Sequence, residues 1–167
     1  METSKKKLGE DHPDTLTSMN NLVVTYMNQG RWDAAEELQV QVLETRKKKL
    51  GEDHPSTLTS MANLASTYRN QGRWDAAEEL KVQVMETRKK KLGEDHPSTL
   101  TSMHNLLFTW KALGKNREAI HLMQDCARLR RSKLGPLYPN TVSSTTILAT
   151  WEAGGADSEW AEPVSSR

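Results

Sequence analysis

The chain has 167 residues, 35% of them apolar and 27% charged, and its 23 basic and 22 acidic side chains leave a net charge of +1. With both signs interleaved along the chain, no long-range field favours nucleic acid or an anionic membrane surface. The single cysteine, Cys126, excludes an intramolecular disulfide framework, and no apolar run approaches the length of a membrane-spanning helix.

Residues 1–7, METSKKK, match residues 85–91, METRKKK, so the chain opens on the end of a helix whose start is missing, as in a fragment of a longer array. They lack the apolar segment of a signal peptide, and the expected compartment is the cytoplasm. Residues 8–49 and 50–91 then run in parallel for 42 positions and differ only at Asp14, Asn20, Val23, Val24, Met27, Gln39 and Leu43. A third copy spans residues 92–133 and drifts after Met103. A fourth begins at Leu134 with LGPLYPNTV and stays incomplete over residues 134–155. So close a period predicts a repeat array whose units stack in one dimension, which explains how a low apolar content suffices.

Within the unit at residues 50–91, Leu58, Met61, Leu64, Ala65 and Tyr68 recur at helical spacing between Pro55 and Gly72. This predicts a first helix, A, capped by Asp53 or Ser56 and ended by Gly72 in the left-handed conformation. Trp74, Ala77, Leu80, Val84 and Thr87 mark one face of a second helix, B. Acids lie in its first turns and the basic run at residues 88–91 in its last, which complements the helix dipole. Trp32 and Trp74 are expected to pack between the two helices, and Tyr26, Tyr68 and Trp110 to be structural within helix A. Cys126 takes the place of Val42 and Val84 and reads as a small core residue. Residues 141–151 suit a helix A in the fourth copy, a C-terminal cap, and residues 156–167 read as a flexible tail.

Asp-His-Pro recurs at His12, His54 and His96. Equivalent residues of stacked hairpins lie about 10 Å apart, too far to share one zinc. The tripeptide is therefore read as the start of helix A. No metal site, cofactor motif or catalytic constellation is expected, and the chain is read as a non-enzyme.

The pattern Leu64-Ala65-x-x-Tyr68-x-x-x-Gly72-x-Trp74-x-x-Ala77 resembles the tetratricopeptide repeat, and the LGEDHP connector with its 42-residue period is similar to the kinesin light-chain subtype. The near-identity of the copies and the closing LGPLYPNTVSSTTILATW resemble most the C-terminal arrays of fungal NOD-like receptors, which follow a NACHT or NB-ARC module. The resemblance implies an all-α solenoid of antiparallel helix pairs in a right-handed superhelix, with helix A lining a concave groove that binds protein or extended peptide.

Four of the seven differing positions fall on helix A, and three of them form one stripe. It reads Asn20, Val24 and Met27 in the first copy, Ala62, Ser66 and Arg69 in the second, and His104, Phe108 and Lys111 in the third. By the resemblance these positions face the groove, beside a ladder of Asn21, Asn63 and Asn105. The ladder amides would hydrogen-bond either a ligand backbone or the neighbouring helix. Apolar Val24, Met27 and Phe108 with cationic Arg69 and Lys111 predict a ligand carrying apolar and acidic residues; the other readings are a cargo-adaptor array like that of kinesin light chain, and a spacer or self-association solenoid whose groove is empty or filled by a neighbour.

Overall fold

The computed structural model describes residues 12–156. Among them are seven helices and no strand: α1 (Pro13–Asn28), α2 (Trp32–Leu50), α3 (Pro55–Asn70), α4 (Trp74–Leu92), α5 (Pro97–Ala112), α6 (Asn116–Leu134) and α7 (Pro139–Ala156). The all-α array of helix pairs expected from the period is present. Residues 1–7, expected to end a helix, lie outside the described residues, as does the tail expected over residues 156–167 except for Ala156, which closes the last helix. The chain divides into two compact units between Thr87 and Arg88.

In the first unit, α1 and α2 pack through Met19, Val23, Ala35, Leu38 and Val42. Leu43 of α2 joins Leu58, Met61 and Leu64 of α3 and Val84 of α4 in a second cluster. The short turn between paired helices follows from one glycine. Gly30 and Gly72 have φ of 70° and 77°, a region where a side chain is strained. Gly30 N–H donates to the Met27 carbonyl and Arg31 N–H to the Tyr26 carbonyl, which closes the last turn of α1 as a Schellman motif. The Arg31 guanidinium then lies 4.3 Å from the Tyr26 ring centroid, and Arg73 lies 4.1 Å from that of Tyr68. Trp32 and Trp74 are only half-buried, because each sits at the first residue of its helix, whereas Ala35 and Ala77, one turn on, are fully buried.

Between units of the repeat the connector is held from both ends. Pro55 sits in the first turn of α3, and the N-cap is His54, whose Nδ1 accepts from Ser56 N–H at 3.1 Å. His96 does the same with Ser98 at 3.1 Å. The imidazole, rather than Asp53 or Ser56 as the sequence suggested, supplies the capping acceptor. Thr57 and Thr99, both fully buried, donate their hydroxyls at 2.8 Å to the carbonyls of Gly51 and Gly93.

One arginine of each basic run turns inward. Arg46 donates to Ser56 O at 3.0 Å and to Ser60 Oγ at 2.7 Å. In the second unit Arg88 meets Ser98 O and Ser102 Oγ, and Arg130 meets Asn140 O and Ser144 Oγ. Each therefore staples the last turn of one helix to the first turns of the next. The flanking lysines complement the helix dipole as expected.

The second unit buries Leu100, Met103, Leu106 and Leu107 of α5 against Ala119, Met123, Cys126 and Ala127 of α6. Cys126 is wholly buried, and burial pushes its thiol pKa up. The last helix is longer than residues 141–151, since it begins at Pro139 and continues to Ala156 through Gly154 and Gly155.

Candidate functional site

The helix-A stripe divides between the two units. In the first, Val24 is 56% exposed, while Met27 and Asn20 are half-buried and Met27 rests on the α1/α2 cluster. On α3, Ala62 packs partly against the second cluster, and the Ser66 hydroxyl donates to the Ala62 carbonyl of its own helix at 3.1 Å. Arg69 is exposed, with its guanidinium 3.5 Å from Asn70 Oδ1. Asn21 and Asn63 are exposed, and their side-chain amides make no hydrogen bond among the described residues. Their main-chain carbonyls accept from Thr25 and Thr67 one turn on.

In the second unit the stripe is aromatic. The His104 and Phe108 rings meet edge to face at 5.0 Å, and Phe108 meets Trp151 of α7 in the same manner at 5.7 Å. Lys111 Nζ lies 5.3 Å from the Trp151 centroid. Phe108 remains 41% exposed. Burial and the positive charge of Arg130 lower the His104 pKa, and its Nδ1 is buried with no hydrogen-bond partner among the described residues. Asn105 is exposed beside this cluster.

The sequence missed two residues here. Trp151 stands 42 positions after Thr109 and 84 after Thr67, both buried threonines, so a break in the repeat pattern was its only signal. Lys81 on α4 is 6% exposed, where the other copies carry Gln39 and Met123. Burial, with the Arg69 charge adding to it, pushes its pKa down to about 8. That residue was visible as one of the seven differences but lies on helix B, away from the stripe.

No group of three or more His, Cys, Asp or Glu side chains is placed to hold a metal ion among the described residues. No described helix is long and apolar enough to cross a membrane.

Paired antiparallel helices repeated at a fixed period, with one helix of each pair carrying the variable exposed side chains, define a helical-repeat scaffold. A profile of the tetratricopeptide repeat matches residues 15–90 and 61–132. The chain belongs to the tetratricopeptide-repeat family. Among solved structures it is similar to a protein from Podospora anserina described as kinesin light chain nearly identical TPR-like repeats. The TM-score is 0.81 and the identity 33%, over 95% of this chain and 75% of that one, and a point variant of the same protein gives the same values. BtubC (BKLC) from P. vanneervenii superposes with a TM-score of 0.76 at 19% identity, over 91% of this chain and 61% of that one, a likeness of fold alone. No curated protein matches the chain. The chain is thus a repeat scaffold of kinesin light-chain type.

Proposed function

We propose that the chain is a non-catalytic, cofactor-free scaffold that binds protein or extended peptide along the helix-A stripe, and that it is the ligand-sensing C-terminal array of a fungal NOD-like receptor. Its units are residues 8–49, 50–91 and 92–133, with 134–155 as cap. The observation that carries the binding reading is the exposure of the edited positions. Val24 and Phe108 leave apolar surface exposed, Phe108 on the side of its ring that His104 and Trp151 do not cover, and the amides of Asn21 and Asn63 present donors and acceptors along the same stripe. Arg69 supplies an exposed cation and Lys111 a second one, resting on Trp151. The complementary ligand carries apolar and acidic residues.

The receptor reading is supported by the near-identity of the copies, a property also in the description of the Podospora anserina protein. A cargo-adaptor array like that of kinesin light chain is favoured by the same structural likeness. The coding sequence upstream of Met1 separates them, since a phosphate-binding loop belongs to the receptor and heptad repeats to the adaptor. The binding site is tested by selecting from a random displayed peptide library on the chain and on the double variant Arg69→Glu, Lys111→Glu. Enrichment of acidic residues flanking apolar ones is expected on the parent and should vanish on the variant. The same enrichment on both would refute the acidic half of the proposal.

A further inference from the structure

In the second unit the stripe is met by a residue type that the repeat places there in no other copy. Residues 67, 109 and 151 share one position of the repeat. Thr67 and Thr109 are fully buried, whereas Trp151 is half-buried and its ring meets two side chains of the stripe. Phe108 lies edge to face with it at 5.7 Å, and Lys111 Nζ stands 5.3 Å from its centroid. His104 also holds Phe108, edge to face at 5.0 Å. Lys111 Nζ makes no hydrogen bond or ion pair among the described residues. Neither α5 nor residues 139–151 of α7 contain an Asp or Glu, and the first acid of α7, Glu152, accepts from Gln124 of α6 at 2.9 Å. A ring face attracts an ammonium through its quadrupole, while the N–H donors directed away from the ring stay open to an acceptor. The equivalent cation of the first unit, Arg69, is exposed and meets only the adjacent Asn70 Oδ1 at 3.5 Å, a contact too long to fix it.

We infer that Trp151 is a positioning residue of the binding stripe: it holds the Lys111 ammonium beside Phe108, so that the second unit presents a preset apolar and cationic subsite to the acidic residue of a ligand. This rests on the stripe being the binding surface. A long side chain held in place before the ligand arrives has less rotamer freedom to lose on binding, which is worth about two- to tenfold in affinity. Burial and the Arg130 charge lower the His104 pKa, so that ring is uncharged at neutral pH and Lys111 carries the charge of this part of the stripe. The threonine of the other copies has no ring face and could not hold the ammonium in this way.

The test uses the full chain carrying Arg69→Ala, which leaves Lys111 as the cation of the stripe, and adds Trp151→Leu or Trp151→Phe. Selection from a displayed random peptide library should enrich apolar and acidic residues on the Arg69→Ala chain. Trp151→Leu keeps apolar bulk against Phe108 but removes the ring face. Apolar enrichment should therefore remain, acidic enrichment should fall, and a peptide selected on the Arg69→Ala chain should bind about two- to tenfold more weakly. Trp151→Phe restores a ring and should restore the acidic enrichment. In a chain that also carries Lys111→Met, Trp151→Leu should weaken that peptide no further. Circular dichroism verifies that helix content is kept. Loss of both enrichments with Trp151→Leu marks a merely structural residue and overturns the inference, and so does a selection that Trp151→Leu leaves unchanged. If the Arg69→Ala chain itself enriches neither class, the binding stripe is refuted, and the inference falls with it.

Discussion

Replacing Arg130 by alanine tests whether the inward arginine of each basic run is a structural staple. Its guanidinium donates to Ser144 Oγ at 2.5 Å, with longer contacts to Asn140 O at 3.3 Å and Leu100 O at 3.5 Å, and the residue is 7% exposed. The short, charge-assisted bond contributes about 1.5–3 kcal/mol, whereas the two long ones add little. Ser144 Oγ and the two carbonyls are not orphaned by the change, because Ser144 also donates to Asn140 O at 2.8 Å and the helix supplies its own donors. Loss of the buried stem and recovery of its rotamer freedom nearly cancel. The net cost is therefore about 2–3 kcal/mol, or roughly 5–10 °C in Tm for a chain of this size. Thermal unfolding followed by circular dichroism measures it, with exposed Arg131→Ala as the control, expected within about 0.5 kcal/mol of the parent. Equal effects of Arg130→Ala and Arg131→Ala would refute the staple.

Two further predictions concern pH. Lys81→Met, which copies the residue at position 123, should stabilise the chain by about 1–2 kcal/mol at pH 7. The folded ammonium loses its proton near 8 and the unfolded one near 10.5, so between these values the unfolded chain holds more protons and the parent gains stability as pH rises. The gap between variant and parent in urea unfolding should thus narrow from pH 8 to 10.5, and a constant gap would contradict the burial of this charge. At Glu36, burial raises the carboxyl pKa, but hydrogen bonds from Gln71 at 2.8 Å and Arg73 at 2.8 Å outweigh it and hold the group below its ordinary 4.5. Its contribution is present above about pH 4.5 and is lost as pH falls through the lower, folded value. Glu36→Gln should flatten the acid limb of the stability profile, and an unchanged limb would mean that Gln71 and Arg73 do not hold the carboxylate.

The fold was legible because the same pattern was written several times: Leu58, Leu64 and Ala77 repeat a helical face, and Gly72 marks a turn that only a left-handed residue closes. What escaped was chemistry carried by side chains whose ordinary reading sufficed. Arg46, Arg88 and Arg130 satisfied the helix-dipole expectation, so nothing in one copy asked for a partner 14 residues on. The copies together did ask, since Arg130 and Ser144 persist in the drifted third and partial fourth copies, where most neighbours changed. The same comparison explains why the stripe was visible while Trp151 was not. A stripe is seen by substitution within a retained frame, and Trp151 lies where the frame itself is ending, opposite Thr109 in register but against Phe108 in space. Persistence thus marks what holds the hairpins and substitution marks what they present. Thr57, Thr99 and Thr141 are fully buried and unchanged, whereas Val24, Ser66 and Phe108 share one position, differ in every copy, and in two of the three leave apolar surface open.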